Sequence, residues 1–299
     1  MRLILRAAMC MVLALSLATA QGTPANAQEM LPEQSAAKAR QVLQQVVAAL
    51  GGQAYLNASD TDCHGRVAQF GSNDDLTDYT LFRDMWSLPD KNRTEYITKG
   101  ENTILGVLLN MEDLFIAHGG VMVTVFSGNH GWMLDKSGVS DQPENLVKTF
   151  NEQLKSGMNN MLRFRMNEPG VQVHYGGTDV IDLKEAEWID FTDGDHRNLR
   201  LAIDRFSRLP MRWVITTRDP ETREFTEAIT TYTQYLTMDG VKTPLNIVRL
   251  RNDHRLTQTF LSGCKYNSNL DTQLFTRDSL AQRAADQTKK GVKNAREKK

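Results

Sequence analysis

From Thr61 onward the apolar residues alternate with a period of two, in one short run after another separated by turn residues. That pattern confines most of the chain to antiparallel strands half-buried on one face. In the first half the runs cover 62–70, 78–86, 92–99, 102–110, 114–118, 121–127 and 132–135. In the second they cover 171–175, 180–183, 186–192, 197–204, 211–217, 224–236, 245–251 and 255–264. Leu199, Leu201 and Ile203 share one face of such a run, with Arg200, Ala202 and Asp204 on the other. Asn73-Asp74-Asp75, Pro89-Asp90, His118-Gly119-Gly120 and Gly128-Asn129-His130-Gly131 supply turns. Asp193-Gly194 and Asp239-Gly240 are the sharpest hairpin signals. The fold class is α+β, mostly β: one extended antiparallel sheet with two helices.

The first helix spans about 33–50, with Ala36, Ala39, Leu43, Val46 and Leu50 on one stripe, and Gly51-Gly52 stops it. The second starts near Pro143, with Asp141 or Gln142 as cap and the proline at the first helical position, and reaches toward Arg165. Leu146, Phe150, Leu154, Met158, Met161 and Leu162 form its apolar stripe, and Gly157 marks a bend. Strands such as 104–109 and 121–126 are apolar at adjacent positions, so both of their faces should be covered. By periodicity alone the stripe of the second helix reads first as the cover of a dry core and second as a lid over a cavity, and Met158, Met161 and Met166 near its end shift that balance a little toward the lid.

Residues 1–27 read as a cleavable export signal: Arg2 and Arg6, an apolar run from Ala7 to Ala20, then small residues. Cleavage fits after Ala20 or, preferably, after Ala27. The apolar run is short for a membrane span, and Cys10 lies inside it, where it gives no lipid anchor. The expected location is periplasmic or secreted, a space without ATP or NAD. The remaining chain divides into a domain over 28–275, with a net charge of -8, and a basic tail over 276–299, with a net charge of +5. That balance is no nucleic-acid footprint. In an oxidising space Cys63 and Cys264 can close one disulfide across the domain; two buried thiols are the alternative.

Searches for chemistry return little. G-x-S-x-G, H-E-x-x-H, the P-loop, G-x-G-x-x-G and paired C-x-x-C motifs are all absent from the sequence. The six histidines never fall at close ligand spacing. Around Gly194 the phase is wrong for a calcium loop, because Phe191 and Ile189 stand where carboxylates are needed. Asp84, Asp113, Asp190 and Asp204 are expected on solvated strand faces. No catalytic residue, metal or cofactor is assigned.

Several patterns then align in order. They are Leu50-Gly51-Gly52, Pro89-Asp90-Lys91-x-Arg93, Gly128-x-x-Gly131-Trp132, the second helix, Leu199-x-Leu201-x-Ile203-Asp204 and Leu209-Pro210-x-Arg212. Further on come Tyr235-x-x-x-Asp239-Gly240-Val241-Lys242-x-Pro244 and Asn269-Leu270-Asp271-x-x-Leu274-Phe275. Together they resemble the outer-membrane lipoprotein-sorting proteins of LolA/LolB type, over about 36–275. The resemblance implies an unclosed half β-barrel whose concave face is covered by helices and binds lipid, an acyl chain or an acylated protein. Groove and lid would be formed by Trp132, Leu146, Phe150, Leu154, Met158, Met161, Leu162 and Trp213. It further implies a monomeric carrier, with a membrane or envelope protein as a further partner. One departure stands out: Leu88, not the arginine of classical carriers, precedes Pro89, and Arg93 lies beyond the turn. An exported hydrolase and a ligand-free structural or regulatory envelope module are the competing functions.

Overall fold

The computed structural model describes residues 30–97, 102–104, 116–118, 121–218 and 222–285. The expected export signal and the rest of residues 1–29, most of the 102–110 run, Asp113 and residues 286–299 lie outside the described residues. Helix α1 (Pro32–Leu50) carries its proline in the first turn, where a missing N–H breaks no helical bond, and ends at Gly51 with φ 128°. A Cβ there would sit 2.3 Å from the Gly240 carbonyl oxygen. Glycine is therefore required both by the backbone angle and by the close approach of the Asp239-Gly240 hairpin. A single turn, α2 (Gln53–Leu56), follows.

The first run of strands is β1 (Asp60–Phe70), β2 (Leu76–Ser87), β3 (Lys91–Ile97), β4 (Asn102–Ile104), β5 (Ile116–His118), β6 (Val121–Ser127), β7 (His130–Asp135) and β8 (Gly138–Asp141). Helix α3 (Glu144–Ser156) leads through Gly157 into α4 (Met158–Asn160), which continues as a π-helical turn, Met161–Arg165. The second run is β9 (Gln172–Ile181), β10 (Lys184–Thr192), β11 (Asn198–Asp204), β12 (Pro210–Arg218), β13 (Phe225–Met238), β14 (Val241–Arg251) and β15 (His254–Tyr266). Thirteen of these form one antiparallel sheet in the order β8-β7-β6-β3-β2-β1-β15-β14-β13-β12-β11-β10-β9, while β4 and β5 pair separately. The two outer strands, β8 and β9, do not pair, so the sheet is an unclosed half barrel. The chain leaves the sheet at one free edge and re-enters at the other. The α3–α4 connection must therefore span the opening, which makes it a strap across the concave face.

Three local expectations are corrected. The runs at 171–175 and 180–183 are one strand, β9, because Gly176 and Gly177 accommodate a bulge opposite Trp188 and Ile189 rather than ending it. The β9–β10 turn is made by Asp182 and Leu183, both at positive φ. Pro143 is the N-cap of α3 rather than its first helical residue, and no side chain caps that end. At Gly157 the bend is a full break, with an extended ψ of 140°.

Register defines the inner face. Tyr266, Thr61, Trp86, Asn92 and Phe126 form one transverse row across β15, β1, β2, β3 and β6, and Cys264, Cys63, Asp84, Thr94 and Thr124 form the next. Cys63 and Cys264 are bonded, with Cα atoms 4.0 Å apart and a sequence separation of 201. Closing so long a loop removes unfolded-state entropy worth about 5 kcal/mol in the chain-entropy limit. The main core lies between α1, α4 and the inner face of β9–β12, around Leu43, Val46, Met161, Leu162, Phe191 and Trp213.

Strand β6 is buried on both faces, as its adjacent apolar residues require. Phe126 faces α3, while Val123 and Val125 face outward against Phe275 and Leu280. That outer cover consists of a 3-10 turn, Thr272–Phe275, and a helix from 277 to 285. Leu280 and Ala284 pack in the same cluster as Phe275. Arg93, beyond the Pro89 turn, holds this cover: the guanidinium donates to the Leu274 carbonyl (3.0 Å) and Ser279 Oγ (3.0 Å) and pairs with Glu95, which also pairs with Arg283.

Candidate ligand-binding trough

Helix α3 can approach the sheet because residue 131 is glycine; a Cβ there would come within 3.0 Å of Val147 Cγ2 and Gln142 Cβ. Phe150 then stacks on Phe126 at 4.1 Å between centroids and lies 5.9 Å from Trp86, with Leu146 and Leu154 beside it. Past the break, Met158, Met161 and Leu162 enter the main core with Trp213, which meets Phe191 edge-on and donates its indole N–H to the Ser156 carbonyl (2.9 Å). The structure thus gathers seven of the eight expected groove and lid residues on the concave side. Trp132 is the exception. It alternates with Gly131, the residue under α3, so its ring points outward, stacks on His130 and packs in the Phe275 and Leu280 cluster.

Beside these dry contacts runs an inner-face strip that keeps solvent access. Thr61, Cys63, Phe82, Asp84, Trp86, Met133, Tyr232, Ile247 and Thr259 are only half-buried, although register places them on the concave side. Burial nevertheless pushes the Tyr232 and Tyr96 hydroxyls well above the ordinary tyrosine range, with Arg249 drawing both back and Asp84 adding to the rise at Tyr96. With Tyr96 buried and Tyr232 half-buried, the strip outlines a candidate trough. At its α1 end, burial pushes Tyr55 up to about 12 against the pull of Arg163, whose guanidinium lies 4.2 Å from the ring centroid, and Tyr55 donates to Asn159 Oδ1 (3.0 Å). These phenols are neutral hydrogen-bonding groups at physiological pH rather than acids.

The strap is latched to the β10–β11 turn. Asp193, at 1% exposure, accepts the backbone N–H groups of Asp195 and Arg197 and the guanidinium of Arg197 (2.7 Å), and pairs with Arg165 from the π-helical turn. Arg197 also binds Glu152 of α3. Burial alone would raise the Asp193 pKa, but the Arg197 hydrogen bonds and the two arginine charges hold it below the usual carboxylate range. An open pocket of about 360 Å³ lies where the helix break meets the Pro89-Asp90 turn, between Leu154, Asn160, Phe164 and Arg165. Charged and apolar residues share its lining.

Sequence reasoning missed two features. Asp84, expected on a solvated face, lies on the inner one, accepting from Trp86 Nε1 (2.7 Å), Asn92 Nδ2 (2.8 Å) and Thr94 Oγ1 (2.7 Å). The signal was its parity with Phe82 and Trp86. The second feature is the arginine latch, for which the sequence carried only the turn signal. Asp190 does pair at the surface with Arg200, and Asp204 accepts from the N–H groups of Phe206 and Ser207. Among the described residues no three His, Cys, Asp or Glu side chains converge to hold a metal ion. Nor is any helix among them long and apolar enough to cross a membrane.

No protein-family model and no curated protein matches the sequence. Among solved structures, a LolA superfamily protein from Nitrosomonas europaea is similar over 81% of this chain and 99% of its own, at 12% identity and a TM-score of 0.51. A DUF1329 family protein from Desulfovibrio piger covers 81% of this chain and 98% of its own, at 10% identity and a TM-score of 0.49. At these identities the likeness is one of fold: the chain has a LolA/LolB-like half barrel.

Proposed function

We propose that the protein is a non-catalytic periplasmic or secreted carrier that shields a lipid, an acyl chain or the acyl group of a lipoprotein on its concave face. The observation that carries this reading is the half-buried inner strip beneath a helical strap that spans the two unpaired sheet edges. The export signal and the LolA-type fold support it. Each methylene of an acyl chain in water costs about 0.8 kcal/mol, so an apolar trough suffices to carry one where no ATP is present. Gly157 lets α3 move while α4 stays anchored through Met161, Leu162 and the Tyr55 bond to Asn159. Cargo would enter by lifting Phe150 from Phe126, exchanging one apolar contact for another.

Lipid extraction and mass spectrometry of protein purified from a bacterial periplasm without detergent tests the reading directly, and stoichiometric lipid is the expected result. Phe150→Asp should abolish uptake of a fluorescent fatty-acid probe while leaving the far-ultraviolet circular dichroism unchanged. Normal uptake by a folded Phe150→Asp variant would remove α3 from the site. An empty wild-type protein that takes up no probe would favour a structural or regulatory module.

A further inference from the structure

We infer that the trough selects amphiphiles whose head donates hydrogen bonds, a hydroxyl or an ammonium group, and disfavours carboxylate heads, because Asp84 forms part of its floor. The inference rests on the carrier reading above and specifies its ligand class. Asp84 lies between Phe82 and Trp86 on the inner face of β2, flanked in its transverse row by the Cys63–Cys264 disulfide on one side and by Thr94 and Thr124 on the other. It remains half-buried, open to the trough. Its three hydrogen-bond donors, Trp86, Asn92 and Thr94, are all neutral, and Asp84 has no ion-pair partner among the described residues. A carboxylate offers about four acceptor positions, so three donors leave room on Oδ2 for one more.

The second observation is independent. Thr124, fully buried one strand beyond Thr94 in the same row, has a hydroxyl with no hydrogen-bond partner. A buried polar group left unmade costs about 1–3 kcal/mol, and a carboxylate without a counter-charge on an apolar face is also unfavourable. Asn92 and Thr94 occupy Oδ1 and Trp86 occupies one position on Oδ2, so the open acceptor position is the second one on Oδ2. An open acceptor position on Asp84 and an unpartnered Thr124 hydroxyl two strands away in the same row are what the head of a bound amphiphile would complete: its O–H or N–H toward Asp84 Oδ2, with Thr124 Oγ1 able to donate or accept. Arg249 is the inner-face cation whose charge reaches Tyr96 and Tyr232. By register it lies level with Gln69, six residues along β1 from the Asp84 row, or about 20 Å at the usual strand rise.

The test uses the full mature chain and an uncharged apolar fluorophore, N-phenylnaphthylamine, displaced by dodecanol, dodecylamine or dodecanoate below their micelle concentrations. High salt screens the field of the acidic domain. The alcohol and the amine should displace the probe at concentrations about tenfold lower than the carboxylate, a difference of about 1.4 kcal/mol. Asp84→Asn should erase the advantage of the amine, and Thr124→Val should weaken dodecanol several-fold, each read as a ratio to dodecanoate displacing the same probe from the same variant. Displacement by dodecanoate as good as or better than by the other two would overturn the inference while leaving the carrier reading intact, and would move the head toward Arg249. Failure of the probe and all three ligands to bind would instead overturn the carrier reading. The wild-type series decides the question even if a variant fails to fold.

Discussion

Strand β6 carries a cover on each face, and the two are built from different chemistry. On the concave side α3 lies on Phe126 through Phe150, Leu146 and Val147, and its polar ties sit toward its edges: Asn151 to the Gly128 carbonyl, Ser156 to Trp213, and Glu152 to Arg197. On the outer side Phe275 and Leu280 are clamped by the Arg93 guanidinium, which is 2% exposed and bonded through the middle of the covering segment. An apolar cover can be exchanged for an acyl chain at little net cost, because the surface beneath accepts either. A cover riveted by a buried cation cannot lift without stranding that charge. The half barrel therefore has one face suited to opening and one that is not.

The most forceful way to break this contrast is Arg93→Ala. Removing one partner of a buried ion pair costs about 3–5 kcal/mol, and here it should loosen the whole domain, read as a lower urea midpoint. The burial of Arg93, which holds its own pKa down against the pull of Glu95, is the reason. A loss below about 1 kcal/mol would mean that the outer cover is as exchangeable as the inner one.

Asp193→Asn should have a smaller and more local effect. Losing charge-assisted hydrogen bonds to Arg197 and Arg165 costs about 2 kcal/mol, seen as faster amide exchange in α3 and the π-helical turn, with the outer helix unaffected. Because the folded Asp193 pKa is depressed, the latch contributes fully above the ordinary carboxylate pKa and is lost only as pH falls through the lower folded value. Wild type and variant should then differ at neutral and mildly acidic pH and converge only once the pH falls below the ordinary carboxylate range. Convergence near neutrality would place the latch elsewhere.

Asp62→Asn should do least. Asp62 and Arg83 meet at 2.6 Å on the open outer face, with the Arg83 hydrogen bond lowering the Asp62 pKa. Exposed pairs contribute less than about 1 kcal/mol. A change near that seen for Arg93→Ala would show that ion pairing as such, rather than burial, distinguishes the two faces.

Much of the fold was legible because strand and helix periods are local. The order of elements, the Gly51 stop, the break at Gly157 and the two hairpins at Asp193-Gly194 and Asp239-Gly240 all follow from spacing and turn chemistry. Within β9 the local signal misled, since Gly176-Gly177 serves a bulge as readily as a turn. Of the candidate site, the stripe from Leu146 to Leu162 was visible, and Trp132 was misplaced because parity within β7 does not say which face of the sheet curves inward.

The sequence by itself determined that this chain must be an antiparallel meander with one helical crossing, because backbone hydrogen bonding and side-chain alternation act between near neighbours. Only the tertiary structure decided what each face meets. The joining of Cys63 to Cys264, the seating of Arg93 under the C-terminal helix and the turning of Asp84 toward the trough depend on the registers of β1 with β15, β2 with β3 and β3 with β6. Those pairings bring together residues as distant in sequence as Cys63 and Cys264, 201 positions apart, and the sense of the sheet's curvature is a property of all thirteen strands at once.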